Sequence, residues 1–444
     1  MRFTYESPEE LTPLLENCDD PRIKDCKFGS YSKAKFISDL VYFNHGSALG
    51  VLQTELVEKS YEILSWLVSH GLEFVPIFER QAYKRQGKFY FWGGLTLAAR
   101  GEGEGLVMSE KRIASSLGVE FRLKRRVKSL ETEGGKLVGI RLDNNQTILS
   151  KAVVISCGGF ESSSELRAEH LGEEWRDVVV RGTSLNRGDG ITMARKLNAA
   201  MTGSYDQCHA VCMDSSTPEF SGSRIPHQER KHFRKISYPF GIMINSKGRR
   251  FVDEGADFRN YTYAQYGREV LRQPGAFAWQ IFDGQVRDLL YDDYRQPDAT
   301  RISASSLDEL VRGFPDVNQR NALETIGQYN SATPDSSSFD PTKKDGLRTL
   351  GLTVPKSNWA LPLVVPPFEA FRVTCGITFT YGGLSIDSDG RVMRSGGSPI
   401  PGLFAAGEVV GGLFQFGYPG GAGLTAGAVF GRTAGANAAS FSRG

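Results

Sequence analysis

Apolar side chains recur at helical spacing between residues 48 and 70. The positions that share one face are Leu49, Leu52, Leu56, Ile63 and Leu67. Such a stripe is typical of a helix that buries one side against a core. Gly71 stands where a glycine commonly ends a helix. The pattern therefore predicts an amphipathic helix that ends at Gly71.

Four stretches between residues 119 and 155 have the patterns of strands. Residues 119–123 alternate between apolar and polar, which predicts a half-exposed strand. Residues 127–131 and 137–142 flank a glycine pair and predict a hairpin. Residues 152–155 are continuously apolar, as buried parallel strands are, and lead into Cys157, Gly158 and Gly159. Ligands commonly bind beyond the carboxyl ends of parallel strands, so we expect a ligand near this glycine pair.

Glycine clusters lie between an apolar strand and an apolar helix near the end of the chain. The strand, residues 403–406, leads into Gly407 and Glu408, and more glycines precede a helical run at residues 426–439. A helix N-terminus stabilises anions, and glycine lets backbone approach a flat ligand. Glu408 suits the hydroxyls of a ribose-like chain. The alternative is a tight packing joint, but the repeated clusters favour a planar cofactor.

Composition narrows the class of protein. The chain has 444 residues and a net charge of +2, which predicts two or three domains and no nucleic-acid partner. No apolar run is long enough to span a membrane, and the first residues carry no signal core, so we expect a cytoplasmic protein. The six cysteines lack zinc-ligand spacing, and no metal site is predicted.

The composition changes beyond residue 200, where aromatic and polar residues replace the apolar runs. We therefore predict a first part of a cofactor domain at residues 1–200, an inserted domain at residues 201–350, and the last part of the cofactor domain at residues 351–444.

Residues 402–408 (GLFAAGE) and 420–424 (GGAGL) resemble the C-terminal flavin-binding signature of the fumarate reductase/succinate dehydrogenase flavoprotein superfamily, also called the FAD-dependent oxidoreductase 2 family. The likeness is closest to its tricarballylate dehydrogenase branch. The resemblance implies FAD and an α/β fold, in which an inserted α+β domain caps a doubly wound, Rossmann-like domain.

The resemblance also implies a set of cofactor-binding residues. Among them, Asp189 opens a helix and is alternatively a helix N-cap. The set is Val127, Cys157, Gly158, Gly159, Gly188, Asp189, Gly383, Gly407, Glu408, Gly421, Gly423, Leu424 and Thr425.

A dinucleotide-binding domain normally begins with a strand, G-x-G-x-x-G and a helix. Nothing before residue 40 fits this motif. Residues 101–105 (GEGEG) are rejected because they follow no predicted strand and their glutamates would repel phosphate. Compared with the family, the chain looks N-terminally truncated by a few dozen residues, with an incomplete cofactor domain.

The catalytic residues are likewise implied by the resemblance. The segments around residues 245–259 and 282–287 resemble those that transfer protons in fumarate reductases, which assigns Glu254, Arg259 and Arg287 to the proton path. His209 takes the place of a histidine that binds a substrate carboxylate. For Glu254, Arg259 and Arg287 the alternative is a surface salt-bridge network. For His209 the alternative is a structural role. Because arginine is normally far too basic to exchange protons, this role requires a buried arginine with a carboxylate partner.

Two positions depart from the fumarate reductase pattern. Phe379 stands where the reductases have a histidine, and Tyr418 stands where they have an arginine. Tyr418 matches the ketosteroid dehydrogenases of the same superfamily and is predicted to bind a substrate oxygen or to pack under the flavin.

Three hypotheses follow from these residues. The first is an FAD-dependent enzyme that dehydrogenates, or reduces, the C–C bond α,β to a carboxylate in a tricarballylate-like organic acid, with an unidentified electron acceptor. The second is a ketosteroid-type, enone-forming dehydrogenase. The third is a truncated non-catalytic paralogue that does not hold FAD.

Overall fold

The computed structural model describes residues 1–91, 94–220, 225–226, 229–334 and 336–444. Within these ranges no helix is both long enough and apolar enough to cross a bilayer. The helices are α1 Lys33–Phe43, α2 Val51–Ser69, α3 Phe78–Gln81, α4 Glu102–Ser116, α5 Ser164–Leu171, α6 Asp189–Arg195, α7 Arg259–Leu271, α8 Leu307–Arg312, α9 Gln319–Ala332 and α10 Ala422–Arg443.

Helix α2 confirms the first amphipathic prediction. Leu56, Ile63 and Leu67 are buried on the stripe that the spacing indicates. The side chain of Gln53 accepts a hydrogen bond from the Gly50 N–H at 3.1 Å and so satisfies one group at the helix start. Helix α2 ends at Ser69, and Gly71 has a φ of +92°, as glycines beyond helix ends commonly do.

The described residues form two compact units. The first comprises residues 1–171, 186–207 and 379–444, and the second comprises residues 172–185 and 208–378. The strands of the first unit are β1 Cys26–Lys27, β2 Phe74–Pro76, β3 Ala82–Arg85, β4 Lys88–Phe91, β5 Leu97–Ala99, β6 Val127–Glu133, β7 Lys136–Leu142, β8 Thr147–Leu149, β9 Val153–Ile155, β11 Met201–Thr202, β17 Gly383–Leu384, β18 Arg391–Met393 and β19 Pro399–Ala405. The strands of the second unit are β10 Val179–Val180, β12 Cys208–Asp214, β13 Ile242–Ile244, β14 Phe277–Phe282, β15 Arg301–Ala304 and β16 Phe368–Thr380, whose last two residues belong to the first unit.

A parallel pair of strands carries the glycine segments of the first unit. Strand β9 pairs with β19 in parallel, with Leu403 opposite Val153 and Ala405 opposite Ile155. Helix α10 packs against β19 and against α2. Strands β9 and β19 therefore end at the same edge, where the chain turns into the glycine pair and into Glu408. The predicted parallel strand and C-terminal helix are both confirmed.

The second unit is built around one long strand. Strand β16 pairs with β10, β14 and β15, and β12 also pairs with it. Every side chain of β12 and of β14 is buried. Residues 351–378 belong to this unit because β16 is the centre of its sheet, whereas the composition change placed a boundary at residue 350.

Two sequence interpretations are wrong. Residues 119–123 form no strand, because no neighbouring strand pairs with them and Val119, Phe121 and Leu123 are 51, 42 and 68% exposed. Residues 101–105 do follow a strand, β5: Gly101 is the N-cap of α4, and residues 102–105 lie within that helix. Its glutamates Glu102 and Glu104 lie in the first turn of α4, where carboxylates favour the helix.

Candidate functional site

Glu408 lies directly after β19, in a short 3-10 helix at Gly407–Val409. Gly407 has a φ of +79°, and a Cβ on it would meet no atom of the described part of the chain within 4 Å. The Thr380 N–H donates to Glu408 Oε1 at 3.0 Å. Gly407 therefore provides the sharp turn that places Glu408 beside the end of β16, and it leaves open space on the side where a Cβ would point.

The glycine pair after β9 is required by packing. A Cβ on Gly159 would come within 2.3 Å of Glu408 Oε1 and within 2.2 Å of Thr380 Oγ1. A Cβ on Gly158 would lie 2.5 Å from the side chain of Asn186. At these two positions glycine makes room for the carboxylate of Glu408 and for the Asn186 amide.

A second group of predicted cofactor residues surrounds the start of α6. Gly188, with a φ of +78°, is the N-cap, so Asp189 is the first helical residue and not the cap. Both carboxylate oxygens of Asp189 accept from Arg126, at 2.8 and 3.0 Å. Arg126 immediately precedes Val127, the first residue of β6, so the ion pair joins β6 to α6. Cys157 is close to Gly190, since a Cβ there would lie 2.6 Å from its sulfur.

The start of α10 contains the other predicted cofactor residues. Gly421 has a φ of +87°, and a Cβ there would lie 2.6 Å from Leu95 Cδ1. Among the described residues, a Cβ on Gly423 would meet only Tyr418, at 3.8 Å. Leu424 is 55% exposed, whereas Thr425 is buried. Gly421 is therefore needed for the backbone turn, and Gly423 lies on the open side of the helix N-terminus.

Aromatic side chains surround Tyr418. Its ring lies 5.2 Å from Phe379 and 5.3 Å from Phe414, both nearly edge-on. Tyr381 adds a fourth ring, 5.4 Å from Phe379. The Gly421 N–H points to the Tyr418 hydroxyl at 3.5 Å. The two departures from the reductase pattern, Phe379 and Tyr418, are thus in contact with each other.

Arg2 holds the loop before α10, and sequence reasoning did not find it. It is fully buried, its Nε donates to Gly420 O at 2.8 Å, and its backbone N–H donates to Gly421 O at 3.1 Å. Its guanidinium lies over the ring of Tyr31 and 3.8 Å from Asp39. One arginine near the start of a chain gives no sequence signal for such a contact.

His209, on β12, is buried in the second unit. Burial, together with the positive charge of Arg181, lowers the pKa of His209 to about 3. Its ring lies edge-on to Tyr263 at 5.0 Å. The imidazole is therefore neutral at physiological pH, and Arg181 is a neighbouring cation that the sequence did not single out.

Glu254 belongs to a buried ion pair. It accepts from Arg250 Nη2 at 2.5 Å and from the Met243 N–H at 2.7 Å. Burial lowers the pKa of nearby Lys356 to about 7, although the charge of Glu254 opposes this shift. In this arrangement the Glu254 carboxylate joins β13 to the loop after it.

The two other residues of the predicted proton path, Arg259 and Arg287, make different contacts. Arg259 begins α7, and its guanidinium lies over the ring of Tyr291 at 4.6 Å. Arg287 lies in the 3-10 helix Gly284–Leu289, and its side chain is exposed. Among the described residues, the Arg287 guanidinium has no carboxylate partner, and neighbouring Asp288 pairs with Arg295 instead.

The first unit has the features of a protein that binds a planar, anionic cofactor. A parallel strand pair ends at a carboxylate, and open space at Gly407 and Gly423 borders the N-terminus of a 22-residue helix. A planar ring attached to a pyrophosphate fits these residues.

A family model described as an FAD binding domain matches residues 51–424. The chain belongs to this family, and both the predicted family and its cofactor, FAD, are confirmed.

Three relatives illustrate the family. A probable fumarate reductase of Shewanella frigidimarina is 28% identical over 87% of this chain and 61% of its own length. A 3-oxosteroid 1-dehydrogenase of Mycobacterium tuberculosis is 27% identical over 74% of this chain and 62% of its own length. The open conformation of a flavocytochrome c3 fumarate reductase matches 99% of this chain and 71% of its own, with a TM-score of 0.70 and 23% identity.

These comparisons confirm the α/β flavoprotein fold. The chain spans less than two thirds of the length of the two curated relatives. The individual roles of the site residues stay predictions.

Proposed function

We propose that the chain acts as an FAD-dependent oxidoreductase on the C–C bond α,β to a carboxylate of a small organic acid, with a tricarballylate-like acid as the first candidate. The observation that carries this proposal is the buried His209 beside Arg181 in a chain of the FAD-binding family. The names of the relatives, a fumarate reductase and a steroid dehydrogenase, agree with chemistry at C–C bonds.

The open glycines and the N-terminus of α10 would hold the cofactor, and Glu408 would bind its hydroxyl groups. When bound, FAD supplies the group that accepts or donates a hydride. Neutral His209 donates an N–H to a substrate carboxylate, while Arg181 balances its charge. In the reduction direction the second hydrogen arrives as a proton, and the protonated Arg287 guanidinium is the proposed donor, with a substrate carboxylate as the partner that its acid–base role requires.

Replacing Arg287 with alanine tests the proton step. Because Arg287 is exposed and unpaired with any described carboxylate, the Arg287→Ala variant should fold and keep its yellow flavin colour. Its turnover should fall by about 100-fold or more, the contribution typical of a positioned acid or base. Absorbance spectra and steady-state kinetics measure both quantities.

Arg320→Ala is the matched control, since Arg320 is an exposed arginine of the same unit. It should leave both colour and turnover unchanged. Normal turnover in Arg287→Ala would remove Arg287 from the mechanism.

The ring cluster around Tyr418 favours a second candidate, a ketosteroid-type dehydrogenase. Four aromatic side chains, Phe379, Tyr381, Phe414 and Tyr418, suit a flat apolar substrate better than a compact polycarboxylate. Assays with 3-oxosteroids and with polycarboxylates decide between the two. Activity on steroids alone supports the second candidate, and activity on polycarboxylates alone supports the first.

A purified protein that is colourless and takes up no FAD on titration would contradict both enzymatic candidates. It would support the non-catalytic alternative.

A further inference from the structure

The carboxyl groups of Glu161 and Glu408 lie close together in the first unit, after the ends of β9 and β19 in the chain. Glu161 is 1% exposed, and Asn186 Nδ2 donates to its Oε1 at 2.7 Å. The same Nδ2 lies 3.4 Å from Glu408 Oε2, so one amide bridges both glutamates. All of these residues lie within the first unit.

The hydrogen bonds around this pair leave one oxygen without a donor. Glu408 Oε1 accepts from the Thr380 N–H at 3.0 Å. Glu161 Oε2 is fully buried and has no hydrogen-bond partner among the described residues. A buried carboxylate oxygen without a donor is costly, whereas a protonated oxygen would donate to the neighbouring carboxylate.

The cationic side chains near the two glutamates bind other groups. Among the described residues neither glutamate forms an ion pair, and the guanidinium of buried Arg167 donates to the backbone carbonyl of Glu161 at 2.6 Å. Asp189, on α6, is paired with Arg126. The other titratable groups that face this region are His170 and Tyr205, which contact Phe160, together with Cys157 at the end of β9 and exposed Arg187 beside Asn186. Neither carboxylate of the pair is therefore in direct ion-pair contact with a described cationic side chain.

The titration of the pair follows from this geometry. Burial, and then the negative charge of Glu408, raise the pKa of Glu161 well above its usual range. Burial also raises the pKa of Glu408, while the Thr380 N–H and the contact with Glu161 oppose that shift. Two carboxylates that share one amide donor cannot both be charged cheaply, which favours a proton on one of them.

We propose that Glu161 and Glu408 share a single proton at neutral pH and that Glu161 is a positioning residue for Glu408. Protonated Glu161 donates to the carboxylate of Glu408 and holds it against Thr380, so that Glu408 presents one negative charge to its surroundings.

The pair makes stability depend on pH with a defined sign. A carboxyl whose pKa is raised by folding contributes stability that is complete below its unfolded pKa and is lost as the pH rises through its folded pKa. The wild-type protein should therefore lose stability through this pair as the pH rises from about 4.3, the ordinary pKa of a glutamate, through the raised pKa of the pair. Glu161→Gln keeps a neutral donor beside Glu408 and has no proton to lose.

Thermal unfolding of the purified full-length variants tests this sign. The difference in Tm between Glu161→Gln and the wild type should shift in favour of the variant by at least about 2 °C between about pH 5 and about pH 9. Glu161→Ala, which lacks the donor, should be less stable than Glu161→Gln at both values. Exposed Glu169→Gln, on the neighbouring helix α5, is the control and should follow the wild-type curve. Parallel curves for the wild type and Glu161→Gln would overturn the proposal.

A second measurement needs no variant to fold. Exposed carboxyl groups are ionised at about pH 7.5, so an infrared band of a protonated carboxyl at that pH reports a buried acid. We expect this band in the wild type. Its absence from the wild type would overturn the shared proton, whatever the activity assays show.

Discussion

The environment of single side chains determines which candidate residues can act at neutral pH. His209 illustrates this, because a histidine in water has a pKa near neutrality, whereas burial beside Arg181 lowers the pKa of His209 to about 3. A neutral imidazole can donate one N–H to a carboxylate, but it brings no charge. Any attraction for an anionic substrate at this point must therefore come from Arg181.

The titration of His209 should appear in the stability of the protein. Since folding lowers its pKa, the unfolded chain binds a proton as the pH falls below about 6.5, and the folded state is destabilised. Between pH 7 and pH 5 this costs about 2 kcal/mol of the free energy of unfolding. Over the same pH range, the free energy of unfolding of the His209→Asn variant should fall by about 2 kcal/mol less than that of the wild type. Urea denaturation at the two pH values measures this difference.

His70→Asn is the control for this measurement, because His70 is exposed at the end of α2. It should retain the wild-type dependence on pH. A His209→Asn variant with the wild-type dependence would show that His209 is not the group that titrates.

At the scale of elements, glycines of similar sequence context have different roles. Gly421 and Gly423 are two residues apart at the start of α10, yet only Gly421 has a positive φ and a close neighbour at the position of a Cβ. Gly423 lies in the first turn with open space beside it. The first glycine is required by the backbone turn, and we propose that the second leaves room for the cofactor.

Alanine substitutions separate these roles. Gly421→Ala should destabilise the protein by about 1 kcal/mol or more, because alanine is strained at a φ of +87° and its Cβ would collide with Leu95. Gly423→Ala should leave stability unchanged or raise it slightly, because alanine favours a helix over glycine. Gly423→Ala should instead weaken FAD binding, as measured by flavin fluorescence titration. Equal loss of stability in both variants would contradict this division.

At the scale of the whole molecule, the predicted residues divide between the two units. Every predicted cofactor residue, and Tyr418, lies in the first unit, whereas His209, Glu254, Arg259 and Arg287 lie in the second. The second unit has one six-stranded sheet, whereas the described strands of the first form five smaller sheets, and each unit has its own buried residues. Cofactor and substrate should therefore stabilise different parts of the chain.

Hydrogen exchange measured by mass spectrometry tests this division. A ligand at 100 times its Kd stabilises the state that binds it by about 2.7 kcal/mol, and amides near the site exchange more slowly. FAD should protect residues 153–160, 403–410 and 421–430. Tricarballylate, added to the FAD-loaded protein, should protect β12, which carries His209. Protection of β12 by FAD alone, with none in the glycine segments, would contradict the assignment.

Much of the first unit could be predicted from the sequence because its signals are local. The stripe of α2, the hairpin of β6 and β7, and the strand–glycine–helix segment at the C-terminus each depend on the spacing of neighbouring residues. The strand at residues 119–123 failed for the complementary reason. Its alternation was correct, but a strand also needs a partner, and no local pattern supplies one.

What the sequence determined by itself is the set of turns and glycines that suit FAD, since the conformational freedom of glycine and the dipole of a helix are local properties. Only the tertiary structure decided which groups are charged. Glu161, Asn186, Thr380 and Glu408 are far apart in the chain, and they meet because β9, β16 and β19 bring their ends together. Loss of water around a carboxyl or an imidazole depends on all the segments that cover it, and it is this burial that shifts the pKa of Glu161 and of His209.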